Sequence, residues 1–135
     1  MSFETRLKVR FADVDPAGIV FYPRYFEMLN AVLEDWFADM GADFATMHLK
    51  RRIGVPTVKL ECEFMAPGLL GDELSVTVRP TRIGRSSCNI EYGITGGGVD
   101  RIRASAVLVC MDLDRQKAVE WPQDIRERIE ALLAN

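Results

Sequence analysis

Histidine and paired cysteines are scarce in this sequence of 135 residues. His48 is the only histidine, and Cys62, Cys88 and Cys110 lie far apart with no Cys-x-x-Cys pair among them. Because a zinc site needs several such ligands close together, we expect no metal site. An odd number of separated thiols in apolar runs favours reduced, buried cysteines in a cytoplasmic protein over a disulfide framework.

The sequence also lacks a strong excess of charge and a long apolar run. Seventeen basic and twenty acidic side chains give a formal net charge of −3, so we expect neither a nucleic-acid partner nor a disordered tail. The N-terminal segment alternates apolar and charged residues, unlike a signal peptide or a membrane span. The length and the 48% hydrophobic content predict one domain, residues 1–135, with a single core.

Two hydrophobic periods divide the first third of the chain. Residues 3–12 have the two-residue period of a half-buried strand. Its apolar side carries Phe3, Leu7, Val9 and Phe11. Residues 22–40 then repeat apolar side chains every three or four positions, which predicts a long helix that ends before Gly41. The wide apolar arc of this helix carries several aromatic rings, so other elements must cover it.

The remaining chain predicts four further strands and a short final helix. The strands are residues 58–64, 74–79, 87–95 and 102–111. The first three alternate as half-buried strands do, whereas the last is apolar at nearly every position, which is typical of burial on both faces. Trp121 and Pro122 open an amphipathic helix.

This order of elements predicts an α+β protein. A strand, a long helix, a four-stranded antiparallel meander and a short helix form a curved sheet wrapped round the long helix, which is the hotdog fold. One short helix cannot cover the edge and apolar flank of such a sheet, so we expect self-association into at least a dimer.

The segment FADVDPAGIVFYPRY, residues 11–25, is the part of the sequence that points to chemistry. From composition alone, Asp13, Asp15, Pro16 and Gly18 form a turn. The helix that follows offers free backbone N–H groups and the positive end of its dipole. These groups can stabilise a carbonyl oxygen that gains negative charge.

This segment resembles the active-site signature of hotdog-fold acyl-CoA thioesterases, in the branch of 4-hydroxybenzoyl-CoA thioesterase. The resemblance implies that Asp15 is the catalytic carboxylate and that the Tyr22 N–H is the main donor to the oxyanion, with Gly18 allowing close approach of the chain. Asp15 would either attack the thioester carbon, giving a mixed anhydride, or act as general base for water.

Two departures from the family's patterns bear on the acyl group. Pro23 stands where the branch acting on short aliphatic esters has a histidine, and Asn30 stands where the 4-hydroxybenzoyl enzyme has an aspartate for the ring hydroxyl. An aromatic acyl group is therefore favoured, with a weakened preference for the 4-hydroxyl because an amide carries no charge. Asn30 could equally be a solvated helix residue.

Two further segments resemble substrate-binding parts of the family. Val55, Pro56 and Thr57 match the segment that lines the acyl pocket beside a neighbouring subunit's helix, although they could simply open a strand. The connection with Arg82, Arg85, Ser86 and Ser87 matches the one that contacts the nucleotide of coenzyme A. Guanidinium and hydroxyl groups suit phosphate oxygens, but a polar hairpin tip has the same composition.

The resulting expectation is a cytoplasmic acyl-CoA thioesterase that forms a dimer or a dimer of dimers, a homotetramer. It would need no cofactor, since coenzyme A is part of the substrate, and neither a membrane nor a nucleic acid as partner. His48 is expected to be an exposed polar residue rather than a base. The alternatives are a non-catalytic hotdog module that binds an acyl thioester or a protein, and a hotdog dehydratase, which usually pairs a histidine with an acid.

Overall fold

The computed structural model of the chain describes residues 2–134. Its elements are β1 Phe3–Lys8, α1 Pro23–Asp39, α2 Phe44–Thr46, β2 Ile53–Gly54, β3 Thr57–Phe64, β4 Glu73–Ile83, β5 Ser87–Gly96, β6 Val99–Val109, β7 Met111–Asp112, β8 Lys117–Ala118 and α3 Gln123–Leu133. A 3-10 turn spans Phe11–Asp13 and a π-helical turn spans Met47–Arg51. The large sheet is antiparallel with the order β1-β4-β5-β6-β3, and β2, β7 and β8 form a smaller sheet. The α+β class and the hotdog arrangement are confirmed.

The central helix α1 follows from local sequence. Proline at the first helical position loses no hydrogen bond, because that N–H has no acceptor within a helix. The helix ends at Asp39, and Gly41 takes the left-handed conformation (φ +83°) that ends a helix at little cost. Trp36 and Phe37 are fully buried on the side of α1 that faces the sheet. The predicted helix is therefore confirmed to within a residue at either end.

The predicted four-stranded meander is wrong in its order. Only β4, β5 and β6 follow one another as neighbours, while β1 pairs with β4 and β3 pairs with β6. The connection after β3 therefore crosses the sheet from the β3 edge to β4, which lies next to β1 at the other edge. Turn residues such as Pro67 and Gly68 indicate a change of direction, but their sequence does not distinguish a tight hairpin from a crossover.

Three burial expectations are also corrected. β6 is buried on one face only, with Ala104 and Ala106 inside and Ser105 exposed between them. β3 is mostly exposed rather than half-buried, because α1 packs chiefly over β4 and β1 and leaves this edge uncovered. Phe11, expected on the apolar side of the first strand, is 82% exposed because β1 ends at Lys8.

The cysteines are free thiols, and Cys88 and Cys110 are buried as predicted, whereas Cys62 is half-buried. Burial raises the pKa of the Cys88 thiol to about 12. It also raises the pKa of the Cys110 thiol, to about 11. Both thiols are therefore protonated at neutral pH and serve as packing groups. Within residues 2–134, none of the helices has the length and apolar character needed to cross a bilayer.

Candidate active site

The loop before α1 holds Asp15 in a tight turn. The Asp15 N–H donates to the Ile19 carbonyl at 3.0 Å, and the Gly18 N–H donates to the Asp15 carbonyl at 2.9 Å. Gly18 has a φ of +81°, which strongly favours glycine. The Asp15 side chain is half-buried, and its Oδ1 accepts a hydrogen bond from the Ala17 N–H at 2.8 Å. Its Oδ2 has no hydrogen-bond partner in the described part of the chain, so one carboxylate oxygen is available for chemistry.

The backbone N–H of Tyr22 lies at the start of α1. The neighbouring backbone N–H groups are already hydrogen-bonded. The Phe21 N–H donates to the Asp13 carbonyl at 2.9 Å, the Arg24 N–H to the Phe21 carbonyl at 2.8 Å and the Tyr25 N–H to the Tyr22 carbonyl at 3.1 Å. Proline follows Tyr22 and has no N–H. Among residues 2–134, the Tyr22 N–H has no backbone acceptor. It is thus a free donor at the positive end of the helix dipole, as an oxyanion requires.

An apolar cleft of about 520 Å³ opens beside this donor. Its walls include Ile19, Val20, Tyr22, Tyr25, Phe64 and Pro67. The ring of Phe64 lies 6.2 Å from that of Tyr22 and 6.0 Å from that of Tyr25, in aromatic contact. The sequence analysis did not identify Phe64 as part of this site, because it belongs to a strand about forty residues after Tyr22. No local pattern distinguishes it from an ordinary strand residue.

Arg101 fixes the connection that forms one wall of the cleft. Its Nη1 donates to the Pro67 carbonyl at 2.7 Å and to Asp72 Oδ2 at 2.9 Å, while Nη2 donates to the Gly96 carbonyl at 3.0 Å. The Leu69 N–H also donates to Asp72 Oδ2, at 2.9 Å. This backbone hydrogen bond, with a smaller contribution from Arg101, lowers the pKa of Asp72 below its ordinary value. The carboxylate therefore keeps its charge and holds the connection in place.

The same connection is bonded to the Asp15 loop. The Val20 N–H donates to the Gly68 carbonyl at 2.8 Å, and the Leu70 N–H donates to the Gly18 carbonyl at 3.1 Å. The Gly68 N–H donates to the Tyr25 hydroxyl at 2.8 Å. A Cβ at Gly68 would lie 2.9 Å from Val20 Cγ2, so only glycine fits there without displacing a neighbour. These contacts position the Asp15 loop against α1.

A second cavity, of about 320 Å³, lies farther along α1. It brings together the residues predicted to bind the acyl group, and its walls include Asn30, His48, Val55, Pro56, Thr57 and Leu113. Asn30 is exposed, and its Nδ2 donates to Glu34 Oε1 at 3.1 Å. His48 is half-buried in this wall, so its expected exposure is wrong. Eight residues of helix separate Tyr22 from Asn30, which is roughly 12 Å along the axis.

The segment predicted to bind coenzyme A runs from the end of β4 to the start of β5, with Arg82 in β4, Arg85 and Ser86 in the turn, and Ser87 as the first residue of β5. Arg82 and Arg85 are exposed, and neither forms an ion pair within the described chain. Trp121 holds the turn, because its Nε1 donates to the Ser87 carbonyl at 3.0 Å and its N–H donates to the Arg85 carbonyl at 3.1 Å. Ser86 is half-buried, and its carbonyl accepts from the Cys110 N–H at 2.7 Å. The end of β4 and the turn therefore present two free guanidinium groups, those of Arg82 and Arg85, from a fixed backbone.

The predicted site residues fall into two groups within one chain. Asp15, Gly18 and Tyr22 lie near the first residues of β4, where Glu73 pairs with Lys8. The basic turn lies beyond the last residue of β4, Ile83, and ten residues of strand span roughly 33 Å. Strand pairing places Thr57 at this far end too, through Leu108 to Cys88. One chain therefore does not bring together the residues predicted to be catalytic and those predicted to bind the substrate. Over the described residues, no three metal-ligating side chains cluster as a metal site would require.

Comparisons of the sequence with a family model and with known proteins indicate the same family. The sequence model of the Thioesterase-like superfamily matches residues 9–129. The 1,4-dihydroxy-2-naphthoyl-CoA hydrolase of Thermosynechococcus vestitus is 29% identical over 118 residues, which cover 87% of this chain and 81% of the relative. The enzyme of that name from Nostoc punctiforme is 26% identical over 130 residues, covering 96% of this chain and 88% of the relative.

Solved structures are similar over almost the full length. A thioesterase complexed with coenzyme A and Zn from Thermus thermophilus is 31% identical, with a TM-score of 0.82 over 98% of this chain and 94% of that one. The 1,4-dihydroxy-2-naphthoyl-CoA thioesterase from Synechocystis is 25% identical, with a TM-score of 0.89 over 98% of both chains. The chain therefore belongs to the thioesterase-like superfamily of hotdog-fold thioester hydrolases.

Proposed function

We propose that this protein hydrolyses a hydroxylated aromatic acyl-CoA to the free acid and coenzyme A. Two observations carry the proposal: the Tyr22 N–H is a free donor at a residue that lines an apolar cleft, and the loop leading into it holds an Asp15 carboxylate whose Oδ2 is unbonded within residues 2–134. The donor can stabilise the tetrahedral oxyanion. The carboxylate attacks the thioester carbon or removes a proton from water, and the coenzyme A thiolate leaves. Coenzyme A enters only as part of the substrate, and no further cofactor is needed.

The relatives and the sequence support an aromatic acyl group from two directions. The similar enzymes from Thermosynechococcus vestitus and Nostoc punctiforme are hydrolases of a two-ring, dihydroxylated acyl-CoA. The motif of this chain resembles that of enzymes acting on a single hydroxylated ring. Both groups are flat, apolar and hydroxylated, which suits the apolar cavity walls. The neutral amide of Asn30 leaves no buried carboxylate unpaired when a ring hydroxyl is absent.

A panel of CoA esters tests this function by measuring thiol release. The panel contains 1,4-dihydroxy-2-naphthoyl-CoA, 4-hydroxybenzoyl-CoA, benzoyl-CoA and palmitoyl-CoA. We expect the aryl esters to have the highest kcat/KM, with 4-hydroxybenzoyl-CoA preferred over benzoyl-CoA by less than about a hundredfold, because Asn30 carries no charge. Absence of thiol release from every ester would favour a binding module. The highest kcat/KM for palmitoyl-CoA would contradict the aromatic assignment.

The proposed active unit is a dimer formed through β3. This strand is the sheet edge opposite β1, and Val58, Leu60 and Phe64 are exposed on it. An unpaired apolar edge favours pairing with another strand. Antiparallel pairing with a second copy about a two-fold axis at Leu60 sets Leu60 opposite Leu60 of the partner subunit and Phe64 opposite Pro56 of the partner subunit. Each complete site then combines the predicted catalytic residues of one subunit with the predicted substrate-binding residues of the other. This arrangement is the same in a dimer and in a dimer of dimers.

Changing Leu60 to glutamate tests this arrangement. Two buried like charges near the axis repel each other, so Leu60→Glu should be mainly monomeric in sedimentation analysis and should lose most of its thioesterase activity. Leu49, which is 74% exposed and lies on the π-helical turn, provides the control variant Leu49→Glu. We expect this control to keep the oligomeric state of the unmodified protein. A folded Leu60→Glu monomer with full activity would contradict the shared site.

Arg82 and Arg85 are proposed to bind the phosphates of coenzyme A. Arg82→Ala and Arg85→Ala should raise KM for CoA esters more than they lower kcat, since contacts far from the reacting carbon contribute equally to ground-state and transition-state binding. The effect should shrink with the corresponding acyl-pantetheine, which lacks the nucleotide. Steady-state kinetics with both substrates measure this, and equal losses with both would assign the arginines a structural role.

A further inference from the structure

Among the described residues that line the second cavity, His48 is the only one with a titratable side chain, and the proposed reaction has not used it. It lies in the π-helical turn Met47–Arg51, which is closed by the Arg52 N–H donating to the Met47 carbonyl. Such turns are rare in proteins and are often found at functional sites. This turn places the imidazole half-buried against the cavity rather than in solvent.

The hydrogen bond of His48 fixes which ring nitrogen carries the proton. Nδ1 lies 2.8 Å from the Phe44 carbonyl oxygen, which can only accept, so Nδ1 is the donor. The ring also packs on that of Phe44 with centroids 4.9 Å apart, which holds its orientation. In the neutral imidazole, Nε2 is then unprotonated and carries a lone pair. His48 therefore presents a hydrogen-bond acceptor in a fixed position.

The surroundings leave Nε2 open to a ligand. It has no hydrogen-bond partner within the described chain, and it lies beside Gly54, where an added Cβ would cover it in van der Waals contact at 3.5 Å. The same Cβ would lie 2.9 Å from Leu113 Cδ2, so a side chain at this position would crowd the wall. A glycine here thus keeps the acceptor accessible from the cavity.

The residues that line the cavity determine which kind of group can bind to Nε2. Its walls carry the neutral polar groups of Asn30 and Thr57 among apolar side chains, and no Asp, Glu, Lys or Arg within the described residues lines it. An unprotonated acceptor in such a site favours a neutral donor and disfavours a carboxylate. We propose that His48 determines acyl specificity by accepting a hydrogen bond at Nε2 from the ring hydroxyl farthest from the thioester. This inference rests on the proposed thioesterase function.

Two substitutions separate this role from a structural one. In His48→Asn, the amide nitrogen takes the place of Nδ1 and keeps the bond to Phe44, but the Nε2 acceptor is lost. In His48→Gln, the amide reaches the Nε2 position and its oxygen can still accept. The two substrates are 1,4-dihydroxy-2-naphthoyl-CoA and 1-hydroxy-2-naphthoyl-CoA, which differ only in the distal hydroxyl.

We expect the unmodified protein to favour the dihydroxylated ester by about tenfold in kcat/KM, as the loss of one neutral hydrogen bond predicts. His48→Asn should abolish this preference by slowing the dihydroxylated ester alone, and His48→Gln should restore part of it. Equal losses with both esters, or an unchanged ratio in His48→Asn, would overturn the assignment.

A spectroscopic measurement tests the same contact without turnover. Because His48 is the only histidine, the imidazole ¹⁵N spectrum contains the signals of one ring. When the imidazole is neutral, the spectrum of the free protein should show the proton on Nδ1 and none on Nε2. The product 1,4-dihydroxy-2-naphthoic acid should shift the Nε2 signal, whereas 1-hydroxy-2-naphthoic acid should not. If the Nε2 signal shifts but no CoA ester is hydrolysed, the proposed function is wrong and the role of His48 in binding the hydroxyl stands. If CoA esters are hydrolysed but the Nε2 signal does not shift, the role of His48 is wrong and the proposed function stands.

Discussion

Replacing Asp15 with asparagine should lower kcat for the best aryl-CoA substrate by at least about a hundredfold, while KM changes little. A positioned nucleophile or general base typically contributes this much, and an amide can neither attack the thioester carbon efficiently nor remove a proton from water. The substitution preserves the local structure, because an amide oxygen can still accept the hydrogen bond from the Ala17 N–H that Oδ1 accepts now. Thiol-release kinetics on protein of unchanged melting temperature measure the effect.

Asp13 offers the matched control in the same segment. Its Oδ2 accepts a hydrogen bond from the Arg10 N–H at 2.8 Å, so it has a structural role in the 3-10 turn. Asp13→Asn can keep that bond and should retain kcat within a few-fold of the unmodified protein. A similar loss in both variants would assign the effect to the loop rather than to Asp15 chemistry. Activity of Asp15→Asn within a few-fold of the original would remove this residue from the mechanism.

The parts of the structure that the sequence predicts well are those encoded over short distances. The helix α1, its start at Pro23 and its end before Gly41 depend on residues within one or two turns. The turn that holds Asp15 likewise closes within five residues, through the bond between Asp15 and Ile19. For this reason the turn interpretation and the active-site interpretation of this segment are compatible, since the turn is what positions the carboxylate.

The parts that the sequence does not predict depend on distant residues. The pairing of β3 with β6 requires a crossover, which is secured by Arg101 and its bonds to Pro67 and Asp72. Hydrophobic periodicity does not predict contacts between residues so far apart in the sequence. The exposure of β3 is another case, because alternation predicts an apolar face but not which element covers it. In the proposed dimer that face meets a second copy, so the pattern reflects burial that one chain alone does not show.

His48 shows the same limitation at the level of a side chain. Next to Lys50 and Arg51 in sequence, it has the neighbours of a solvated loop residue. The π-helical turn nevertheless directs its ring to the cavity wall, where Gly54 leaves it room. Backbone geometry of this kind comes from the packing of the turn against the smaller sheet. A functional role for a lone histidine could therefore be inferred only from the structure.

Replacing Tyr22 with proline should lower kcat about a hundredfold to a thousandfold relative to Tyr22→Ala, because only the proline variant lacks the oxyanion donor. Tyr22 has a φ of −53°, which lies within the range that a proline ring allows. Its N–H has no backbone acceptor in the described chain, so proline breaks no internal hydrogen bond there. The side chain is 60% exposed and contacts Phe64, and both variants lose that contact equally.

The comparison of these two variants isolates one backbone N–H group. Kinetics with an aryl-CoA ester give the ratio of their kcat values, and thermal unfolding shows whether both variants keep the fold. The KM values of the two variants should be similar, since a donor aimed at the oxyanion acts mainly in the transition state. Equal kcat values in folded Tyr22→Pro and Tyr22→Ala would mean that another donor stabilises the oxyanion. The start of α1 would then only position the Asp15 loop.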